Sequence, residues 1–426
     1  MAKKPVKKTR SETLKQVALK AAKKAKPKKV AKPVKKSAPK TKPTRKLAVA
    51  PKPEPKAKTV FFTGFPGFIG KRLIIKLLEA NPDLRFLALV QDKFRETAEK
   101  AVEELASVVP VARNNIELLS GDLTVDGLGL DASLQARLCR EVTEVWHLAA
   151  VYDLAVPEKI AWQINVEGTR RILELCEQAK HLEQFVYVST CYVAGLRTGL
   201  ILEEELDYGQ GFKNHYESTK FEAEVLVRQR MSRIPTIIIR PAIVVGDSQT
   251  GATDKYDGPY MFARLYADLE NRNLLQHFRG VPLPAVGRGD AYFNIVPIDY
   301  LVDAMMAITA NPKARGKTFQ IADPDPCTTR ELFDLVGESF GLKPTRGFLP
   351  IPLVRVLTKM PALGEFLGFP EQSLDYVDHN AVFDCQNTLD FVKAAGLRCP
   401  SPREYIPRMV EYTREHLKQH GMRAKY

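Results

Sequence analysis

The sequence of 426 residues predicts an α/β fold, in which a doubly wound parallel sheet is followed by a smaller C-terminal lobe. Two observations predict this fold. Strand-like and helix-like segments alternate from residue 59 onward, and a glycine-rich turn separates the first strand from the first helix. Regular alternation implies right-handed βαβ crossovers, which place parallel strands in one sheet with helices on both faces. A third observation, a change in composition near residue 58, separates this body from a basic N-terminal tail.

Residues 1–58 hold most of the excess positive charge. They contain 20 Lys and 2 Arg against two Glu, together with eight Pro, and the rest of the chain holds 42 basic and 48 acidic side chains. The overall charge of +14 therefore describes the tail and not the body. Because the tail has too little apolar surface to offset the entropy of ordering, we predict that it is disordered.

The body begins with the strand-like run Thr59–Thr63, and the segment GFPGFIG then leads into a helix-like run. Gly64 would permit a tight turn, Gly67 would let the backbone approach a pyrophosphate, and Gly70 would let the helix pack closely against the strand. The N-terminus of that helix would face the phosphate charge. This arrangement predicts a Rossmann-like site for a dinucleotide.

The later elements continue the alternation. Strands are predicted at 86–90, 115–120, 144–150, 184–190 and 236–241, and helices near 93–107, 158–179 and 216–231. In such a sheet the ligand lies at the carboxyl ends of the strands. We therefore expect the strand-end residues to lie along one edge of the sheet; they are Gln91, Asp122, Ala149, Ala150, Thr190 and Pro241.

Tyr216 and Lys220 stand one turn apart on the predicted helix 216–231, and hence on one face of it. Beside a nicotinamide, the ammonium of Lys220 would stabilise the phenolate of Tyr216, lower its pKa and hold the ribose. Tyr216 would then give a proton to a carbonyl oxygen that the hydroxyl of Thr190 polarises. These three residues are the predicted catalytic set.

Seven segments, in order along the chain, resemble the motifs of the extended short-chain dehydrogenases/reductases. They are TGFPGFIG (63–70), GDL (121–123), HLAA (147–150), NVEGT (165–169), VSTCYVAG (188–195), YESTK (216–220) and RPAIVVGD (240–247). The resemblance covers about residues 58–330 and extends more loosely to 420. Within that superfamily, GDSQTG (246–251) followed by YDGPY (256–260) is similar to a segment of the thioester reductase and fatty acyl-CoA reductase group, also called male sterility proteins.

This narrower resemblance implies reduction of an acyl thioester to an aldehyde or alcohol with NAD(P)H. The broader resemblance to the extended short-chain dehydrogenases/reductases implies that Asp122 binds adenine, that Asn165 supports the active site, and that Thr190, Tyr216 and Lys220 form a catalytic triad. The residues expected to bind the cofactor are Gly64, Phe65, Pro66, Gly67, Phe68, Ile69, Gly70, Gln91, Asp122, Leu123, Ala149, Ala150, Asn165, Ser189, Tyr216, Lys220, Pro241 and Ile243.

Two other substrate classes fit the same catalytic set. A freestanding reductase or dehydrogenase would act on a ketone or hydroxysteroid-like compound, and an NAD-dependent epimerase would act on a sugar nucleotide. For the cofactor, Gln91 is neither an acid that binds the ribose 2′-hydroxyl nor a cation that accepts a 2′-phosphate. The resemblance to reductases favours NADP, with NAD as the alternative.

Other features of the sequence bear on membrane spans, disulfides, metal sites and cellular location. There is no run of about 18 apolar residues, so no membrane span is predicted. The six Cys show no CxxC pairs and the His no metal-ligand spacing, so we predict neither a disulfide framework nor a metal site. A cytoplasmic location is the simplest expectation.

We predict a tail at 1–58, a dinucleotide-binding domain at 59–245 and a substrate lobe at 246–426, in which about 292–310 returns to the sheet. The partners considered are a small-molecule or acyl-thioester substrate, a second copy of the chain in a homodimer, and nucleic acid or an anionic membrane bound weakly through the tail.

Deletion of residues 1–58 tests the expectation for the tail. Lys and Arg neutralise phosphates and so release counterions. Two interpretations of the tail stay open: a solvated leader whose charge aids solubility or loose tethering, and salt-sensitive attachment to nucleic acid or anionic lipid. If the tail attaches the chain, the full chain should be retained on DNA or anionic vesicles at low salt and released as salt rises, and the shortened chain should not be retained. Equal retention of both chains in a salt series would contradict this expectation.

Overall fold

Seven parallel strands form the central sheet. The computed structural model describes residues 58–254, 256, 258–278, 280–360 and 371–420, so the predicted tail lies outside the described residues except for Lys58. The strands are β1 (Thr59–Thr63), β2 (Arg85–Val90), β3 (Ile116–Ser120), β4 (Glu144–His147), β5 (Gln184–Val188), β6 (Gly199–Ile201), β7 (Thr236–Pro241), β8 (Ile243–Val245), β9 (Ala285–Val286), β10 (Ile295–Pro297), β11 (Thr318–Ile321), β12 (Phe348–Leu349) and β13 (Ala381–Phe383).

The described helices are α1 (Phe68–Ala80), α2 (Arg95–Val108), α3 (Ala112–Asn115), α4 (Ala132–Glu141), α5 (Glu158–Ala161), α6 (Gly168–Gln178), α7 (His215–Arg230), α8 (Pro259–Asn271), α9 (Ile298–Thr309), α10 (Thr329–Glu338), α11 (Ile351–Thr358), α12 (Gln386–Val392) and α13 (Pro402–His420). None of these helices combines the length and the apolar character needed to cross a membrane.

The strands of the main sheet lie in the order β3-β2-β1-β4-β5-β7-β11, and each neighbouring pair is parallel. The chain starts in the middle of the sheet, moves to one edge and returns to build the other half, which is the order of a doubly wound Rossmann-like fold. This order confirms the predicted fold class. It also brings the carboxyl ends of β1, β4 and β5 side by side.

Burial of both faces explains why the sequence forms this sheet. β1 and β5 are buried along their whole lengths, as expected for parallel strands covered by helices on both sides. In β1, Val60 and Phe62 pack with α1, α2 and α9, whereas Phe61 packs with α4, α6 and α7 on the opposite face. The alternation of side chains along one strand thus supplies two hydrophobic layers.

A third hydrophobic core lies in the C-terminal lobe. It is formed mainly by α8, α10 and α13, which contribute Phe262, Phe333 and Tyr405, among others. The rings of Phe262 and Phe333 have centroids 4.4 Å apart. This separate core gives the predicted smaller lobe a packing centre of its own.

The C-terminal half returns to the sheet differently from the prediction for residues 292–310. In that stretch β10 pairs with β8 in a separate two-stranded ribbon, and α9 packs on one face of the main sheet. The strand that joins the main sheet is β11, with the sequence TFQI, and all four of its residues are buried. Because it is short and two of its residues are polar, the hydrophobic pattern did not indicate this strand.

A buried ion pair joins α7 to β7. The guanidinium of Arg240 donates hydrogen bonds to both carboxylate oxygens of Glu224, at 2.6 and 3.0 Å. Glu224 also accepts hydrogen bonds from Arg228 at 2.9 Å and from Ser189 at 2.7 Å. Burial alone would raise the pKa of Glu224, but the charge of Arg240 holds it below the ordinary value. The pair therefore stays charged and fixes α7 against the sheet.

Glu224→Gln should lower the free energy of unfolding by about 3–5 kcal/mol, because it leaves Arg240 buried without its counter-charge. Since folding lowers the pKa of Glu224, the stabilisation is present above the ordinary carboxyl pKa and is lost as pH falls through the folded-state value. Urea unfolding at neutral and acidic pH measures both effects. The double variant Glu224→Leu with Arg240→Met serves as the control and should lose less stability than Glu224→Gln; a greater loss would contradict this account.

Candidate active site

The turn between β1 and α1 is so tight that three of its positions have room only for glycine. Gly64 has a φ angle of +94°, and a Cβ there would lie 2.9 Å from backbone atoms of Leu148 and Ala149. A Cβ at Gly67 would lie 2.7 Å, and one at Gly70 2.9 Å, from the carbonyl oxygen of Gly64. The turn therefore stays closed only while these side chains are absent.

The N-terminus of α1 fits the pyrophosphate of a dinucleotide. The N–H of Gly67 donates to the carbonyl oxygen of Gly64 at 2.9 Å, and the helical hydrogen bonds begin with Lys71 N–H donating to the carbonyl oxygen of Gly67 at 3.0 Å. The N–H groups of Phe68, Ile69 and Gly70 therefore have no acceptor within the helix and can meet a ligand. No acidic residue stands in the first turn, and no side chain covers it at Gly67. The positive end of the helix dipole would thus meet phosphate oxygens directly. Seven of the predicted cofactor residues lie in this turn and helix start: Gly64, Phe65, Pro66, Gly67, Phe68, Ile69 and Gly70.

The residues predicted to bind the adenosine half of the cofactor meet where β2 and β3 end. Gln91 donates from Nε2 to Oδ2 of Asp122 at 2.8 Å. The other carboxylate oxygen of Asp122 accepts hydrogen bonds from the backbone N–H and the hydroxyl of Thr124, both at 2.8 Å. Leu123 is buried and packs against Gly168 of α6. Asp122 is therefore held from two sides, and the end of β2 presents an uncharged amide.

A directed chain of hydrogen bonds connects β1 and β4. The N–H of Ala149 donates to Oγ1 of Thr63 at 3.2 Å, and Oγ1 of Thr63 lies 2.7 Å from Nδ1 of His147, which accepts its proton when the other ring nitrogen carries the hydrogen. Nε2–H of His147 then donates to Oγ1 of Thr169 at 3.0 Å, and Thr169 donates to the carbonyl oxygen of Asn165 at 2.6 Å. This order assigns the neutral Nε2–H tautomer to His147. Burial lowers the pKa of His147 to about 3, so the ring stays neutral.

Asn165 extends this chain of hydrogen bonds to α7, the helix that carries Tyr216 and Lys220. It lies in the wide π-helical turn Trp162–Glu167, a kind of turn that is frequent at functional sites. Its Oδ1 accepts a hydrogen bond from the N–H of Val151 at 2.9 Å, and its Nδ2 donates to Oγ1 of Thr219 at 3.0 Å. Asn165 thus joins the loop after β4 to α7, three residues beyond Tyr216.

The hydroxyls of Thr190 and Tyr216 lie near each other beyond the end of β5, close enough for Thr190 to influence the pKa of Tyr216. Oγ1 of Thr190 also accepts a hydrogen bond from the N–H of Tyr192 at 3.2 Å and donates to the carbonyl oxygen of Pro241 at 3.5 Å. Burial raises the pKa of Tyr216, and the hydroxyl of Thr190 offsets part of the rise. We expected Lys220 to lower this pKa; instead burial dominates, and Tyr216 keeps its proton.

Lys220 is buried one turn after Tyr216. Its ammonium donates to the carbonyl oxygen of Val188 at 2.8 Å and lies 4.4 Å from the centre of the Tyr187 ring. Burial lowers the pKa of Lys220 to about 7, although the carboxylate of Glu224 acts in the opposite direction. The ammonium therefore titrates near neutral pH and is held at the end of β5.

The other predicted cofactor residues differ in their burial and in the hydrogen bonds of their side chains. Ala149 and Ala150 follow β4 and are half-buried, as is Ile243 at the start of β8. Ser189 uses its hydroxyl inside the protein, where it donates to Glu224 at 2.7 Å. The Ser189 side chain is thus already engaged in the buried ion-pair cluster, and Pro241 contributes its carbonyl oxygen to Thr190.

The loop Gly246–Gly251, the GDSQTG segment, is tied to two helices far away in sequence. Ser248 donates from its hydroxyl to Asp299 at the start of α9, at 2.5 Å, and Arg408 of α13 donates to the carbonyl oxygen of Ser248 at 2.7 Å. A cavity of about 460 Å³ adjoins the loop, and none of the predicted site residues lines it. These hydrogen bonds connect the loop to helices α9 and α13, so the loop helps to join the sheet to the C-terminal lobe.

Comparison with known proteins identifies the family. Residues 62–305, more than half of the chain, match the family described as male sterility protein, with its NAD-binding domain. The chain belongs to this family. The match confirms the predicted family and, at that level, the predicted class of NAD(P)-dependent oxidoreductase.

Several proteins similar to this chain carry the names of reductases. Fatty acyl-CoA reductase wat of Drosophila melanogaster is 29% identical over 286 residues, which are 59% of this chain and 54% of that protein. Fatty acyl-CoA reductase 2 of Homo sapiens is 24% identical over 375 residues, which are 77% of this chain and 69% of that protein. The chain spans about half the length of several curated relatives that it matches.

Solved structures share the fold. The terminal R domain from the myxalamid PKS-NRPS biosynthetic pathway has a TM-score of 0.70 and 24% identity, with 88% of this chain and 94% of that chain covered. A UDP-glucuronic acid 4-epimerase from Bacillus cereus in complex with NAD has a TM-score of 0.58 and 18% identity, with 84% and 99% covered. At these identities the likeness establishes the fold alone.

Two contacts at the site of this family member were not predicted. The ring of Tyr152 meets the ring of Tyr216 edge-on, with centroids 5.2 Å apart. Glu217 is fully buried and accepts a hydrogen bond from Tyr376 at 2.8 Å. The sequence contains one indication of the contact with Tyr216, since the aromatic residue Tyr152 comes two residues after HLAA. The second had no signal, because its partners lie 159 residues apart.

Gly67→Ala should weaken the binding of NADPH and NADH by at least about 10-fold. The new Cβ would press on the carbonyl oxygen of Gly64 and enter the space expected for the pyrophosphate. Titration of the protein with each cofactor, followed by cofactor fluorescence, measures the dissociation constants.

Gly341→Ala is the matched control. Gly341 has a φ angle of +71° but open space around its Cβ position, so the substitution strains a turn without touching the cofactor cradle. It should leave both dissociation constants unchanged. If Gly67→Ala also leaves them unchanged, the turn is not the phosphate site.

Proposed function

We propose that this protein is an NAD(P)H-dependent reductase that converts an acyl thioester, carried on coenzyme A or on a carrier protein, to an aldehyde or an alcohol. The observation that carries the proposal is the meeting of Thr190 and Tyr216 at the end of β5, in a member of this family with a glycine cradle after β1. The names of the relatives, fatty acyl-CoA reductases, support a thioester as the substrate.

When bound, the cofactor supplies a hydride to the carbonyl carbon. Thr190 and Tyr216 hydrogen-bond to the carbonyl oxygen and stabilise the negative charge that develops there. With a thioester, this gives the oxyanion of a hemithioacetal, which loses thiolate to form the aldehyde. If a second hydride reduces the aldehyde, Tyr216 gives its proton to the alkoxide.

The environment of Tyr216 suits a proton donor. Its pKa is raised by burial, so the hydroxyl is protonated at neutral pH and can act as an acid in the direction of reduction. Lys220 uses one of its three donors on the carbonyl oxygen of Val188, which leaves the other two for the hydroxyls of a ribose. The three residues therefore have distinct roles. Thr190 polarises the carbonyl group, Tyr216 donates the proton, and Lys220 holds the ribose.

We favour NADPH as the cofactor. The residue that directly follows β2 is Gln91, whose amide is bound to Asp122 and offers no carboxylate to the ribose 2′-hydroxyl. An uncharged residue at this position does not repel a 2′-phosphate. The next residue, Asp92, favours NADH, whereas the cations Lys93 and Arg95 that follow it favour NADPH. Taken together, these features support NADPH, and NADH is the other arm of the test.

A substrate panel tests the proposed reaction. The protein is incubated with NADPH or NADH and with acyl-CoA thioesters, aldehydes, ketones including a ketosteroid, and UDP-sugars. Oxidation of the nicotinamide, release of free thiol and formation of aldehyde or alcohol are measured together. We expect one thiol released for each thioester reduced, with NADPH preferred. Turnover of ketones or epimerisation of UDP-sugars without turnover of thioesters would overturn the proposal.

Tyr216→Phe should lower kcat by at least about 10²-fold, the usual scale for the loss of a general acid. Because the ring and its packing are kept, cofactor affinity should change little. Tyr208→Phe is the matched control, since it removes an exposed hydroxyl that donates to Glu205 outside the site, and it should retain full kcat. Near-normal turnover by Tyr216→Phe would rule out its role as proton donor.

A further inference from the structure

The first turn of α7 contains a buried charged cluster that the predicted catalytic set does not use. Glu217, the residue after Tyr216, is fully buried. One of its carboxylate oxygens accepts hydrogen bonds from the ammonium of Lys213 at 3.3 Å and from the hydroxyl of Tyr376 at 2.8 Å. The other accepts from the backbone N–H of Lys213 at 3.0 Å. A buried carboxylate is tolerated only with such partners, so the geometry of this turn depends on them.

Tyr376 binds two groups of this turn at once. Its hydroxyl accepts a hydrogen bond from Nδ2 of Asn214 at 2.9 Å and donates to Glu217. Asn214 is the N-cap of α7, and its Oδ1 accepts the N–H of Glu217 at 3.0 Å. The hydroxyl of Tyr376 therefore lies between Asn214, the N-cap of α7, and Glu217, the residue after Tyr216.

The ring of Tyr376 is fixed from other sides. The ammonium of Lys213 lies 5.1 Å from its centre and also donates to the carbonyl oxygen of Gly195 at 2.9 Å. The ring of Tyr192, two residues after Thr190, meets the Tyr376 ring edge-on with centroids 5.1 Å apart. Tyr376 thus contacts the segments that carry Thr190 and Tyr216, the two residues proposed to bind the carbonyl oxygen.

Tyr376 belongs to a part of the chain remote from α7. It ends the short helical turn Glu371–Tyr376, and Arg355 of α11 forms ion pairs with Glu371 and Asp375 of that turn. The C-terminal lobe therefore supplies the group that holds the start of the catalytic helix. Helix α7 lacks this restraint unless residues 371–376 are in place.

We propose that Tyr376 is a positioning residue, which fixes the first turn of α7 through Asn214 and Glu217 and thereby places the hydroxyl of Tyr216 against that of Thr190. The inference rests on the proposed function, because it assumes that Tyr216 donates the proton. Tyr376 acts only through Tyr216.

A double-mutant cycle tests this inference. Tyr376→Phe is made in the unsubstituted chain and in the Tyr216→Phe background, and kcat and both KM values are measured for all four proteins with the best thioester of the panel. In the unsubstituted chain, Tyr376→Phe should lower kcat by about 10-fold to 10²-fold, because small misplacements of a catalytic group have effects of this size. KM for the cofactor should change by less than about twofold. In the Tyr216→Phe background the further loss of kcat should be less than about twofold.

A purely structural role would lower kcat by the same factor in both backgrounds, and that result would overturn the inference. An unchanged kcat in the single variant would also overturn it. Near-normal kcat of Tyr216→Phe would overturn both the proposed function and this inference. A large effect of Tyr216→Phe combined with an additive effect of Tyr376→Phe would overturn this inference alone.

Tyr260→Phe is the matched control. Tyr260 is a buried tyrosine of the same lobe whose hydroxyl also accepts one hydrogen bond and donates another, in its case to backbone groups of Gly246 and Gly251. Any loss that it causes should be the same in both backgrounds. If Tyr376→Phe unfolds the protein in thermal melts, Asn214→Ser replaces it, because serine keeps the N-cap acceptor and removes the donor to Tyr376. The same pattern in the cycle is then expected, and additivity would again overturn the inference.

Discussion

The carboxyl ends of β1, β4 and β5 are buried, so each polar side chain there needs a partner inside the protein. Thr63, His147 and Thr169 satisfy one another in a chain of hydrogen bonds with a single direction, and the neutral His147 is its centre. This requirement holds the glycine turn, the loop after β4 and the turn that carries Asn165 in one arrangement. These internal contacts therefore hold the groups around the candidate site in place, in keeping with the preorganisation that stabilises charge in a transition state.

The parts that could be predicted from the sequence depend on residues close together in the chain. The glycines after β1 stand at fixed distances between a strand and a helix, and Tyr216 and Lys220 share a helical face because of their spacing. The strand β11 was not predicted because buried Thr and Gln interrupt its apolar pattern. The spacing of Tyr216 and Lys220 predicts a lowered pKa for Tyr216, but burial, which a sequence pattern does not show, raises that pKa.

Contacts between distant segments were beyond the reach of sequence patterns. The loop of Ser248 resembles a family segment, and only the structure shows that it binds Asp299 and Arg408, which lie 51 and 160 residues away. The ion pair of Glu224 with Arg240 likewise joins a helix and a strand that have no common motif. In each case a polar group is buried by one part of the chain and satisfied by another, so the pairing follows from the tertiary structure.

The hydrogen bond between Glu217 and Tyr376 has a consequence for the order in which the protein is made. A chain that grows from its N-terminus can complete β1 to β7 and α7 well before Tyr376, 159 residues after Glu217, leaves the ribosome. Until then, the buried carboxylate of Glu217 has only Lys213 as its side-chain partner, and the amide of Asn214 lacks its acceptor. The start of α7 thus acquires its final contacts only after residue 376 has been made, and a chain truncated before residue 371 would contain every predicted catalytic residue without this contact.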